Sequence, residues 1–118
     1  MRKEIEVNGR KVALECNSAT PLVMKRIFKF DFMTFISNMN DYDIGEQLEK
    51  SEQVAYIMAL MADHPLRDVL NMNADGFLEW LAGFEFIDMN SIIIPAAMEL
   101  WTDNSETSSA PKNADGPQ

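Results

Sequence analysis

The sequence predicts a mainly α fold: an N-terminal β-hairpin, then four to six helices, then a disordered polar C-terminal tail. Three observations predict it. Asn8-Gly9 separates two short runs in which apolar and polar residues alternate. Apolar residues then recur at helical spacing in successive segments as far as Trp101. From Thr102 onward no large apolar residue remains. One helical domain is therefore expected over 1–101, with a tail over 102–118.

Residues 3–16 read as the hairpin. Asn-Gly favours a type I′ turn, because that turn needs two positive φ angles. A two-residue loop sets Val7 opposite Arg10, Glu6 opposite Lys11 and Ile5 opposite Val12. Ile5, Val7, Val12 and Leu14 then share one face, and the Glu6–Lys11 pair takes the other. A lone hairpin is marginal in water, so its apolar face is expected to pack on helices.

Asn17-Ser18-Ala19-Thr20-Pro21 is a helix start, with Thr20 as N-cap and Pro21 at the first helical position. Leu22, Val23, Met24, Ile27 and Phe28 follow, with Lys25, Arg26 and Lys29 turned outward. Asp31 caps a second short helix through Phe32, Phe35, Ile36 and Met39, or else one bent helix runs from Pro21 to Met39. After a break at Asn40–Asp43, a helix is expected from about Glu46 to Ala62. It ends at His64-Pro65, since a residue before proline avoids the α region. Leu66 to Leu70 form one or two further turns.

The stretch from Asn73 to Trp101 looks like the centre of the chain. Asn73 or Asp75 caps a helix carrying Phe77, Leu78, Trp80, Leu81 and Phe84 inward. A break is expected near Glu85 to Asp88. The last helix repeats apolar residues at Met89, Ile92, Ile93, Ala96, Ala97 and Leu100, with a second stripe at Ile94, Met98 and Trp101. Apolar over more than half its circumference, it is either central to the core or covered by another chain. Pro95 is the flaw in this assignment, because an interior proline loses a hydrogen bond and kinks the helix.

The 118 residues fit one domain, and 47% hydrophobic residues suffice for a core. Nineteen acidic and ten basic side chains give a formal net charge of −9. That balance argues against binding a phosphate backbone. With one cysteine, Cys16, no intrachain disulfide forms, and a cytosolic setting is the default. No signal peptide or membrane-spanning run is read from the sequence.

Signals of catalysis are absent. His64, the one histidine, stands where it would meet carbonyls at a helix end. Cys16 reads as a buried, inert thiol. Asp41 and Asp43 lack the remaining spacing of a Ca²⁺ loop. Glu79 and Glu85 face different sides of a helix, so they do not pair as acid and base. No cofactor or metal is expected. The nine methionines are read as core filling or as an adaptable surface for another protein's helix; Met58, Met61, Met72, Met89 and Met98 fall at apolar helical positions. The candidate partner-contact or self-association face is Met89, Ile93, Ile94, Met98 and Trp101.

Three blocks carry a family resemblance. They are the hairpin leading through Ser18-Ala19-Thr20-Pro21-Leu22 to Ile27-Phe28 and Asp31; Phe77-Leu78-Glu79-Trp80-Leu81 with Phe84; and Glu99-Leu100-Trp101 followed by a polar tail with Ser109-Ala110-Pro111-Lys112. In this order and length the chain resembles the tail assembly chaperones of long-tailed bacteriophages, of the type found in phages of Gram-positive hosts. The family often has glycine after the Ile-Phe pair, where this chain has Lys29.

The resemblance implies a non-enzymatic protein of the host cell cytoplasm, not expected in the mature virion. It would bind the tape measure protein, keep it soluble and help recruit the tail tube protein. It also implies a longer frameshifted form of the chain as a partner, and homo-oligomers are compatible with it. The alternative reading is an acidic, DNA-mimic inhibitor of a host nucleic-acid-binding enzyme. That reading needs acids spaced along one face like phosphates, whereas here they are spread over the hairpin, the Asp41–Glu52 segment and the tail.

Overall fold

A computed structural model describes residues 1–107. The hairpin joins β1 (Arg2–Val7) to β2 (Arg10–Glu15). Its antiparallel register pairs Val7 with Arg10, Glu6 with Lys11 and Ile5 with Val12, as the alternation predicts. Asn8 and Gly9 both take positive φ, 52° and 78°, which is what the two-residue loop requires. Val7, Val12, Leu14 and Cys16 are buried on the inner face.

Helix α1 (Thr20–Phe28) begins one residue earlier than expected. Thr20 does not cap it. Its Oγ1 instead accepts from the Asn17 amide at 3.0 Å, and Asn17 Oδ1 accepts from the Ala19 amide at 2.8 Å. The side-chain bonds thus close the turn before the helix and leave Ala19 at the cap position.

The chain then breaks, so two helices exist and not one bent helix. Lys29 adopts φ 58°, the left-handed conformation, and its amide donates to the Lys25 carbonyl. This conformation suits glycine and strains a residue with a Cβ. Lys29→Gly is therefore expected to stabilise the fold by about 0.5–1 kcal/mol, read as a raised denaturant midpoint at unchanged m-value.

Asp31 caps α2 (Phe32–Ser37), accepting from the Thr34 amide and hydroxyl at 3.2 and 2.9 Å. The bond from the Thr34 amide, then that from its hydroxyl, hold the Asp31 carboxyl below its ordinary pKa. A depressed folded-state pKa stabilises the protein above the unfolded value and loses that contribution as pH falls through the folded value. Asp31→Ala is thus expected to lower Tm at neutral pH and to match the parent at the acid end. Melting curves from neutral pH to below about pH 3 test this.

A single 3₁₀ turn at Met39–Asp41 leads to α3 (Ile44–Asp63), capped by Asp43 through the Glu46 amide. It starts before Glu46 because that cap lies two residues ahead of Gly45. His64 and Pro65 end it as expected, and α4 (Leu66–Val69) follows.

Asn73 caps a 3₁₀ turn at Ala74–Gly76, and α5 (Phe77–Ala82) continues from it. The next helical stretch begins at Phe86, inside the expected break. It comprises α6 (Phe86–Asp88), a π-helical turn at Met89–Ile93, and α7 (Ile94–Thr107).

Pro95 does not interrupt this stretch. The π turn, with the Ile94 amide donating to the Met89 carbonyl, lies just before it. One extra residue per turn widens the backbone where the proline ring would otherwise meet the preceding carbonyl. Helix α7 also passes Trp101, where the domain was expected to end. Residues 102–107 of the expected 102–118 tail are thus helical, and 108–118 lie outside the described residues.

The central element is α3, not the Asn73–Trp101 stretch. The sheet packs on it through β2, and α1, α4, α5 and α7 pack around it. Every residue from Gln53 to Ala59 is buried, so this part of the helix is enclosed on all sides.

Aromatic side chains fill the space around α3 in two groups. In the first, Phe28, Tyr56 and Phe77 meet edge to face, and Tyr56 contacts Trp80, which contacts Phe84. In the second, Phe30, Phe35 and Tyr42 meet, while Phe32 packs on Phe35 and on Trp101 of α7.

Gly76 lies against the first group: a Cβ there would stand 2.7 Å from the Tyr56 hydroxyl. Tyr56 is buried and held by its neighbouring rings, so it has little room to retreat. Gly76→Ala is expected to destabilise by about 1–3 kcal/mol, measurable by urea unfolding.

Candidate functional site

The expected docking face divides in the structure. Met89 and Ile93 are core residues, 1% and 0% exposed. They pack with Ala97 and Leu100 of α7 among the other core side chains. Neither reaches a partner while the fold stands. Ile94, Met98 and Trp101 are half-buried against the same core. Trp101 sets its ring edge-on to Phe32, at 4.8 Å between centroids. The wide apolar face of the last helix is thus largely covered by its own chain.

The methionines divide in the same way. Met58, Met61 and Met89 are core, while Met72 and Met98 are half-buried. For the first three, core filling is the observed role.

The structure exposes a different apolar surface. Leu78 on α5 and Phe86 and Ile87 on α6 are 70%, 68% and 69% exposed. They flank a bend of 111° between the helical stretches Ala74–Ala82 and Phe86–Asp103. The expectation that Leu78 faces inward is corrected. Phe77 and Trp80 take the inner side of this short helix, and Leu78 falls between them on the outer side. Phe86 is the one aromatic side chain outside both ring groups.

The corner is held firmly from behind. Arg10 of β2 lies over the Phe84 ring at 4.4 Å and donates to the Gly83 carbonyl at 3.4 Å. Asn8 at the hairpin turn donates to the Asp88 carboxylate at 2.6 Å. The Phe86–Ile87 pair is therefore braced by the hairpin although its side chains face outward. Glu79 and Glu85 are exposed beside it.

Sequence reasoning missed this surface by placing Phe86 and Ile87 in a break. The available signal was the pair itself. Two adjacent large apolar residues between acids, in a segment outside the helical phase, have no inward position to occupy.

Titratable groups form no catalytic arrangement at this corner. Burial pushes the Cys16 thiol above its ordinary pKa, against a smaller opposite effect of the Thr20 hydrogen bond, so the thiolate is disfavoured. Burial likewise raises Glu52, helped by the like charge of Glu49, and raises Tyr56. Among the described residues, no group of three or more His, Cys, Asp or Glu side chains could hold a metal ion.

No single helix among them is long and apolar enough to cross a membrane. The bent pair on either side of the corner has the composition for it but buries Met89, Ile93 and Leu100 in the core. No known protein family, curated protein or solved structure matches the chain.

Proposed function

We propose that this protein is a tail assembly chaperone of a long-tailed bacteriophage, which binds an apolar helical segment of the tape measure protein. The observation that carries the reading is the braced apolar corner of Leu78, Phe86 and Ile87 on a chain of net charge −9. Large apolar side chains left uncovered on both sides of one bend are candidates for an interaction surface. Here the client's apolar stripe would cover them, while the acidic remainder of the surface keeps the complex in solution.

The client face is thus moved from the last helix to the α5–α6 corner, with Ile94, Met98 and Trp101 left as packing residues. The sequence resemblance supplies the identity of the client, and with it the tail tube protein and a longer frameshifted form as further partners. The reading places the protein in the host cell cytoplasm and outside the finished virion.

Coexpression with the neighbouring tape measure protein, followed by affinity capture, tests it. The expected result is a soluble client captured at high salt, because apolar contact does not depend on counterions. A client that stays insoluble beside both this chain and its longer frameshifted form would overturn the reading.

A further inference from the structure

A second apolar surface lies between α1 and α4. We propose that it docks an amphipathic helix of a partner protein whose apolar stripe is flanked by Asp and Glu. This docking does not depend on the tape measure reading.

The groove has a volume of about 490 Å³. Buried Val23 and half-buried Leu70 line it, together with the exposed side chains of Leu22, Leu66, Lys25 and Arg26. Leu22 is 69% exposed and Leu66 46%. In α1 the core is served by Val23, Met24 and Ile27. Leu22 stands on the opposite side, beyond anything the fold itself needs.

Helix α1 and the single helical turn of α4 bound this trough, which leaves room for large side chains of a further helix to enter between them. Because the trough is lined from these two helical segments and lies open to solvent, it suits a rod-like occupant better than an enclosed small molecule.

Charge selects the kind of helix. Acidic side chains outnumber basic ones by 19 to 10 in the whole sequence. Yet Lys25, Arg26 and Lys29 cluster on α1 and its end, and Arg67, 88% exposed, follows Leu66 on α4. Two acids stand nearby: Asp68 pairs with Arg67 at 3.8 Å, and the Asp31 carboxylate is close enough to Lys25 to feel its charge. Among the described residues that line the groove itself, however, the charged side chains are Lys25 and Arg26, both cationic.

At physiological salt, charges beyond about 8 Å are screened, so these cations, not the net charge, meet an arriving helix. Carboxylates beside the apolar stripe would seat over Lys25 and Arg26 and fix its direction. A second copy of the chain fits less well. Its exposed apolar corner spans a 111° bend and offers no straight stripe.

The test uses a synthetic helical peptide with Leu at every third and fourth position and Glu on both flanks. A control peptide carries Lys in place of Glu. Binding to the full chain is followed by amide chemical-shift mapping and fluorescence anisotropy. The expected result is binding of the Glu peptide, with shifts confined to 19–29 and 65–71, and about tenfold weaker binding of the Lys peptide.

The double variant Lys25→Glu/Arg26→Glu should reverse that preference. Leu22→Asp should abolish binding of both peptides; Leu22 is exposed, and unchanged melting would confirm that the fold persists. Equal binding of the two peptides would overturn the proposal. So would shifts centred on α5 and α6, or groove shifts that appear on concentrating the protein alone, which would assign the groove to a second copy.

Discussion

Ile93→Ala is expected to lower the free energy of unfolding by about 2–5 kcal/mol, the range for truncating a fully buried aliphatic side chain. Ile93 is 0% exposed in the π turn, alongside Met89 and the core positions of α7. Removing its outer atoms leaves a void that the turn cannot readily close. The Ile94 amide and Met89 carbonyl fix the local backbone, and Pro95 limits its adjustment. Urea unfolding by far-UV circular dichroism reads the loss directly.

The neighbouring Ile94 is half-buried, so Ile94→Ala should cost clearly less. Equal costs at the two positions would mean that the face turned toward the core has been misassigned.

The second large effect is on binding. Phe86→Ser/Ile87→Ser is expected to abolish capture of the tape measure client while leaving stability within about 0.5 kcal/mol of the parent. Both side chains are more than two-thirds exposed, so the fold has little to lose from them. Central apolar anchors of an interface typically contribute about 2 kcal/mol or more each. Losing both, about 4 kcal/mol, would therefore weaken a micromolar affinity roughly a thousandfold, enough to lose the client in a capture experiment.

The readout is the amount of soluble client recovered with the variant, compared with the parent at equal expression. Retained capture with normal stability would place the client elsewhere, the α1–α4 groove being the next surface to examine by Leu22→Asp.

Much of the fold was legible because local signals agreed with one another. In the hairpin, the Asn8-Gly9 turn, the Glu6–Lys11 pair and the period-two alternation all specify one register. His64-Pro65 marked the end of α3 through the steric demand of proline alone. The Lys29 break was less legible, since a lysine in the left-handed conformation carries no sequence mark; Asp31 beyond it was the surer sign.

The central role of α3 was hidden by its first half, where Glu46, Glu49, Lys50 and Glu52 dilute the apolar pattern before the buried run begins. The last helix misled in the opposite way. Its apolar residues are conspicuous, but the π turn adds a residue to the repeat, and so Ile92 sits 36% exposed although the helical spacing predicts it inward. The candidate site was the least legible part. Periodicity reports what a helix turns inward, whereas Phe86 and Ile87 matter because of what brings them to a corner: a bend in the chain and a hairpin behind it.

The enclosure of α3 also bears on how the molecule comes apart. A helix wrapped by elements from both ends of the sequence cannot hold its shape when any one of them leaves, because each departure wets the same buried surface. Partial unfolding of the chain should therefore be scarce. The amides between Gln53 and Ala59 should exchange with solvent only through global opening, and a fragment lacking either the hairpin or α7 should lack a stable fold of its own.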